Sequence, residues 1–129
     1  MGGVGDTEKW YKGYKDDANF LLVYVEEAHP GNTVEGRQVF AHESDAERVE
    51  LAQVCTTSRQ VTMPTVVDKL DNAVEIAYGA FPDRIYVLDS HGVVQYKTKL
   101  GPRGWDVAEP RAALDRLLRP AGDTVEKSN

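Results

Sequence analysis

Two carboxylates and an imidazole stand together in "EEAHP", where Glu26, Glu27 and His29 follow an apolar run. Such a group can move protons: a carboxylate beside an imidazole orients it and strengthens its hold on a proton, making His29 a donor near neutral pH. Period-two geometry sends Tyr24 and Glu26 to one face of an extended chain and Val25 and Glu27 to the other. Only one of the two carboxylates can therefore look into a given cleft. The plain alternative is a strand end meeting solvent, where charged residues are ordinary. His42, in "FAHESDAER", reads by itself as a solvated residue ahead of a helix. Glu27, His29 and His42 lack the HExxH economy that marks a zinc site, so no metal is assigned. Cys55 is the only thiol, which excludes an internal disulfide, a CxxC pair and a thiolate zinc cluster. Its position on the apolar stripe of a helix reads as packing, and the lesser reading is a resolving thiol.

The elements that must hold these groups follow from pattern. "FLLVYV" belongs to a strand over residues 19–25, and in open α/β sheets ligands bind beyond the carboxyl ends of strands, which is where "EEAHP" falls. Ahead of it, "TEKWYKGYKDD" from Thr7 gives an amphipathic helix with Trp10, Tyr11 and Tyr14 inward, weakened by Gly13. A long loop spans Glu26 to Glu43, and such a connection is uncommon without a purpose. "SDAE" at 44–47 is a capping box in which Ser44 accepts from the Glu47 amide and the Glu47 side chain reaches back to the Ser44 amide. The helix it starts runs to about Arg59 with Ala46, Val49, Ala52 and Cys55 inward. A short strand near Thr65–Val67 precedes a short helix from about Asp71, with Gly79 suited to its C-terminal turn. "RIYVLDSHGVVQYK" is a hairpin turning at Ser90, His91 and Gly92. His91 at its tip reads as solvated. A last helix starts near Asp106 or Pro110 and ends at about Arg119.

Size and charge exclude several classes. A chain of 129 residues, 41% apolar and 28% charged, fits one domain with a real core. Fifteen Lys and Arg against twenty-one Asp and Glu give a net charge of −6, and no stretch gathers the basic residues as a nucleic-acid surface does. The longest apolar run is far short of the roughly 20 residues that span a bilayer. The start lacks a secretory pattern, so a cytoplasmic protein with no membrane partner is expected.

"FLLVYVEEAHP", "VVDKLDNAVEIAYGAFPDRIYVLDSHGVVQYK" and "GPRGW" resemble the iodothyronine deiodinase family, including its bacterial relatives, from about Trp10 to Leu118. That family has a thioredoxin fold close to the peroxiredoxins and includes selenoproteins. The resemblance implies an α/β fold: a thioredoxin-like sandwich, its mixed sheet flanked by helices, lacking the first (central) βα element of the full fold. The implied division is a flexible N-terminus at 1–6, a thioredoxin-like domain at 7–119 and a flexible tail at 120–129. It also implies roles. Glu27 and His29 lie beside the catalytic chalcogen, and His42 matches a further family histidine. Pro82 falls where thioredoxin folds place a cis proline facing the site, and Lys97 and Lys99 match a basic segment near it. Phe81 adjoins Pro82 and reads either as core or as the wall of a groove.

The match departs from the family at one place. The family carries, before its first matched helix, a strand and a Cys or selenocysteine nucleophile at a helix amino terminus, where a low-pKa chalcogenolate attacks the substrate. The residues before Trp10 contain neither a thiol nor an apolar strand. The nucleophile is therefore expected to be missing from this chain, as it would be if a gene start had been assigned after a selenocysteine codon. The missing strand would lie between the strands at 19–25 and 84–89, so either those two pair directly or the sheet is open there.

The implied function is thiol-dependent reduction, either reductive dehalogenation or peroxide reduction, of a small-molecule substrate. A thiol reductant serves as co-substrate and no cofactor is bound. The alternative is a catalytically inactive thioredoxin-like module that binds a peptide or subunit, a homodimer through the open sheet edge being one form of it.

Overall fold

A computed structural model gives the architecture, and the structure describes residues 3–26, 33–34, 37–38, 43–101 and 105–119. Four helices and three small sheets make a mixed α/β arrangement in the order α1 (Val4–Tyr14), β1 (Leu22–Tyr24), β2 (Thr33–Val34), β3 (Arg37–Gln38), α2 (Asp45–Ser58), β4 (Thr65–Val67), α3 (Ala73–Tyr78), β5 (Tyr86–Leu88), β6 (Val94–Lys97) and α4 (Ala108–Leu118). No helix among the described residues is long and apolar enough to cross a membrane.

Helix α1 begins three residues before Thr7, with the Thr7 hydroxyl donating to the Gly3 carbonyl at 2.8 Å. Trp10 is buried and carries the helix into a core cluster with Val87, Ala113 and Leu114. Phe20 packs edge-on against the Trp10 ring at 5.0 Å, and Tyr14 donates to Asp115 Oδ1 on α4 at 2.7 Å. These contacts lock α1 and α4 onto one face of the β5–β6 hairpin, because Ile85 and Val87 point to that side.

Strand β1 lies parallel to β4, with Leu22 opposite Thr65, Val23 opposite Val66 and Tyr24 opposite Val67. Parallel neighbours need a crossover, and α2 supplies it. Its N-cap is Ser44, whose Oγ accepts from the Glu47 amide at 3.1 Å. The second half of the expected capping box is displaced by one residue: the Glu47 carboxylate accepts from the Glu43 amide at 3.0 Å. The inward stripe of α2 also differs from expectation. Arg48, Leu51, Ala52 and Cys55 are buried, while Ala46 and Val49 are exposed. Residues spaced uniformly three apart drift by about 60° at each step, so Ala46 and Cys55 point to opposite sides of a helix with 3.6 residues per turn. The i, i+3, i+4, i+7 set beginning at Arg48 stays on one face. Cys55, Ala52 and Tyr24 form a second buried cluster, covered by Val67.

The expected loop over 26–43 carries a short antiparallel ladder between β2 and β3. The β5–β6 hairpin pairs Tyr86 with Lys97, Val87 with Tyr96 and Leu88 with Val94. Asp89 closes its turn, its carboxylate accepting from the amides of His91 at 2.9 Å and Val93 at 3.0 Å, and Gly92 takes a φ of +81°. The Val93 amide foremost, against a smaller effect of burial, holds the Asp89 carboxyl below its ordinary value. Among the described residues β1 bonds only β4 and β5 only β6. Direct pairing of β1 with β5, one of the two arrangements considered for the gap, is not observed, and residues 4–9 are helical rather than a strand filling it.

Candidate functional site

The site is built where the two parallel strands end. Because β1 and β4 run the same way, their carboxyl ends emerge side by side, and the Asp68 amide donates to the Tyr24 carbonyl at 2.9 Å just past the last pair. Glu26 follows β1 and Asp68 follows β4, so carboxylates from both strands reach one edge.

Asp68 turns back to start α3. Its Oδ2 accepts from the Glu75 amide at 2.9 Å and its Oδ1 from Val74 at 3.2 Å and Lys69 at 2.9 Å. The Val74 and Glu75 amides are ones a short helix leaves unpaired at its amino end, which a carboxylate satisfies best. Arg48, 2% exposed on α2, braces the same turn. Its Nη1 donates to the Lys69 carbonyl at 2.8 Å and to Asn72 Oδ1 at 2.9 Å. Asn72 sits in the left-handed region at φ +57°, one of the few side chains that tolerates it. Asp45 Oδ1 accepts from the Leu70 amide at 2.6 Å, so α2 grips this turn twice.

Glu75, 7% exposed on α3, then reaches back to the head of the "EEAHP" block, its Oε1 accepting from the Glu26 amide at 3.3 Å. Burial pushes the Glu75 carboxyl above its ordinary value of 4.5, and the facing carboxyl of Glu26 pushes it the same way, while the Glu26 amide and Arg48 oppose the rise.

Around the hairpin the described candidates take a different place. The Phe81–Pro82 peptide bond is cis, the isomer the family resemblance implies, and Phe81 is 41% exposed beside it. The segment after Pro82 is clamped: Asp83 Oδ1 accepts from Trp105 Nε1 at 3.0 Å, and the Gly101 amide donates to the Asp83 carbonyl at 2.9 Å. Lys97 closes β6 opposite Tyr86 and Lys99 follows it, both exposed. Between them Thr98 is buried, its Oγ1 accepting from the Ile85 amide at 3.0 Å. Alternation about Thr98 therefore turns both lysines outward. Cys55 is 5% exposed in the Tyr24 cluster under the β1–β4 pair. Glu27, His29 and His42 lie outside the described residues.

Sequence reasoning missed Glu75, Arg48 and Asp68. Each looks like a surface charge, and α3 inverts the usual rule by burying Glu75 while leaving its neighbour Ile76 71% exposed. The one available signal is positional: Asp68 directly follows an apolar strand and precedes a helix start, as an N-capping acid does.

Comparison with known proteins agrees with the resemblance. A family model described as iodothyronine deiodinase matches residues 5–118. Thyroxine 5-deiodinase of Gallus gallus is 36% identical over 121 residues, which cover 88% of this chain and 46% of that protein. The thyroxine 5-deiodinases of Bos taurus and Homo sapiens are 35% and 36% identical over 107 residues, 80% of this chain and 35% and 34% of theirs. The chain thus spans less than half the length of these curated relatives. With the family pattern running through nearly all of it, the chain belongs to the iodothyronine deiodinase family.

Proposed function

We propose that this chain is the proton-handling and cleft-forming part of a thioredoxin-like, thiol-dependent reductase that removes a halogen from an aromatic ring or reduces a peroxide. The observation that carries this reading is the family match over residues 5–118, a span that includes every candidate residue named above. Replacing carbon–halogen by carbon–hydrogen needs two electrons and one proton at carbon, and releases halide. Two thiols supply the electrons and leave as a disulfide. Glu27 and His29 supply the proton, Phe81 and Pro82 wall the cleft, and His42 with Lys97 and Lys99 holds an acidic group of the substrate. This reading takes the attacking Cys or selenocysteine from outside these 129 residues, and the burial of Cys55 supports it.

One observation favours a second reading, a binding module without catalysis. The β1–β4 and β5–β6 pairs stay separate among the described residues, and each pair presents strand edges that another chain can use. Titrating an iodinated aromatic amino acid into the 15N-labelled chain separates the two. The reductase reading expects amide shifts at Phe81, Lys97 and Lys99, with turnover by dithiothreitol at background in both wild type and Cys55→Ser. Turnover that survives Cys55→Ser overturns the location of the nucleophile, and absence of shifts at those residues gives the binding module precedence.

A further inference from the structure

Among the described residues, the edge where β1 and β4 end brings together the carboxyl groups of Glu26, Asp68 and Glu75 and the guanidinium of Arg48. Asp68 spends its carboxylate on three amides, and Arg48 spends Nη1 on Lys69 and Asn72. Glu75, nine-tenths buried on α3, meets Glu26 from a different element, its Oε1 accepting from the Glu26 amide at 3.3 Å. Neither the loop after β1 nor α3 can move there without separating them.

We propose that Glu75 is a positioning residue for Glu26, fastening it to α3 by a proton shared with the Glu26 carboxyl as well as by the Glu26 amide. When that proton is lost the two groups become like charges in a poorly hydrated place, and Glu26 loosens from α3. The neighbouring groups do not cancel the effect. Asp68 adds to the negative charge, and Arg48, across from α2, is the cation already set against it. The direction in which burial and Glu26 move the Glu75 carboxyl agrees with this geometry. The significance for proton delivery by Glu27 and His29 rests on the function proposed above, whereas the fastening itself does not.

Nothing of this kind follows from the sequence, because Glu75 stands in "NAVEIAYG" as an ordinary helix glutamate. Glutamine at this position keeps an acceptor for the Glu26 amide and offers an N–H to its carboxylate, so Glu75→Gln imitates the fastened form at every pH. Glu75→Ala removes both contacts.

The test is amide hydrogen exchange and 15N–1H shift of Glu26 across pH in the 129-residue chain and both variants, with rates corrected for intrinsic exchange. Wild type should show an inflection above the ordinary glutamate value of 4.5, Glu75→Gln-like protection on its acid side and faster exchange beyond it. The loss should be about fivefold, the scale of one typical net hydrogen bond. Glu75→Gln should lack the inflection and stay protected, and Glu75→Ala should exchange at the faster rate throughout. Superimposable pH curves for wild type and Glu75→Gln overturn the proposal. So does a Glu26 amide as well protected in Glu75→Ala as in Glu75→Gln. If the alanine variant does not fold, the first comparison alone decides. Because the readout needs no turnover, an inactive chain does not count against the fastening, and a failed fastening leaves the reductase reading to its own assay.

Discussion

Glu8 offers the sharpest test of how this fold is held together. It lies on α1 and is buried, and its carboxylate accepts from the Thr62 amide at 3.0 Å, from the Met63 amide at 3.2 Å and from the Thr62 hydroxyl. Glu8→Ala removes all three acceptor contacts. Thr62 is exposed and its donors regain water, but Met63 is buried and its amide is left without an acceptor. Hydrogen bonds to a charged acceptor are worth about 1.5–3 kcal/mol each, and the recovered hydration at Thr62 brings the expected cost to about 2–3 kcal/mol. At about 4 °C per kcal/mol for a domain of this size, the melting temperature should fall by about 10 °C. Acid adds a second arm. Burial opposes ionisation of Glu8, but the bonds from Thr62 and Met63, with Lys12 Nζ 3.9 Å away, outweigh it and hold the carboxyl below its ordinary value of 4.5. A value depressed in the folded state means that the stabilisation is fully present above the ordinary value and is lost as pH falls through the folded one. Urea unfolding followed by tryptophan fluorescence, from about pH 7 down to about pH 3, reads both arms. Wild type should converge on neutral Glu8→Gln as acid is added. A cost below about 0.5 kcal/mol for the alanine variant, the range of an ordinary surface change, refutes the reasoning, as does a parallel acid loss in wild type and Glu8→Gln.

Two further outcomes are expected. Gly101→Ala places a Cβ against the Asp83 carboxylate, with Cγ at 2.6 Å, so Asp83 must yield its bond to Trp105; thermal melts should show a loss of about 1–3 kcal/mol, and a wild-type melt would mean the clamp carries no weight. Cys55 should react with a thiol-specific disulfide reagent at least about 100-fold more slowly in the native chain than in urea, since access requires opening of the Tyr24 cluster. A native rate equal to that of the unfolded chain would contradict the burial and revive Cys55 as a reactive thiol.

What the sequence reveals here is what local signals encode. Ser44 as N-cap, Gly79 as the left-handed C-cap at φ +56° and the hairpin around Gly92 all answer to backbone rules that need no tertiary partner. Cys55 was legible as a packing residue for a similar reason, since apolar neighbours at helical spacing marked its side of α2. The stripe itself was misplaced because a buried arginine counts as polar in any hydropathy pattern, and Arg48 leads the true inward face. Glu75 and Asp68 were invisible for the same cause. Their burial is balanced in part by amides distant in sequence, 7 positions away in the Asp68–Glu75 contact and 49 in the Glu26–Glu75 contact. The strands proved shorter than the apolar runs suggest: residues 19–25 yield only Leu22–Tyr24, because pairing with β4 ends at Val67. Of the candidate site, Phe81, Pro82, Lys97, Lys99 and Cys55 have described positions, and the block that opens at Glu26 is described only at its first glutamate.

Helix α1 bears a burden out of proportion to its length. The two buried clusters share no residue, one gathered around Trp10 on the hairpin and α4, the other around Tyr24 beneath the parallel pair. The amino-terminal helix reaches into both territories, through the Trp10 ring on one side and the Glu8 carboxylate on the other. Each half alone is a two-stranded ribbon with one long helix against it, the kind of fragment that is marginal in water. The eleven residues of α1 thus share with the Tyr78–Tyr86 ring contact between α3 and β5 the task of tying the parallel pair to the hairpin, and a proteolytic nick after α1 should loosen both clusters at once.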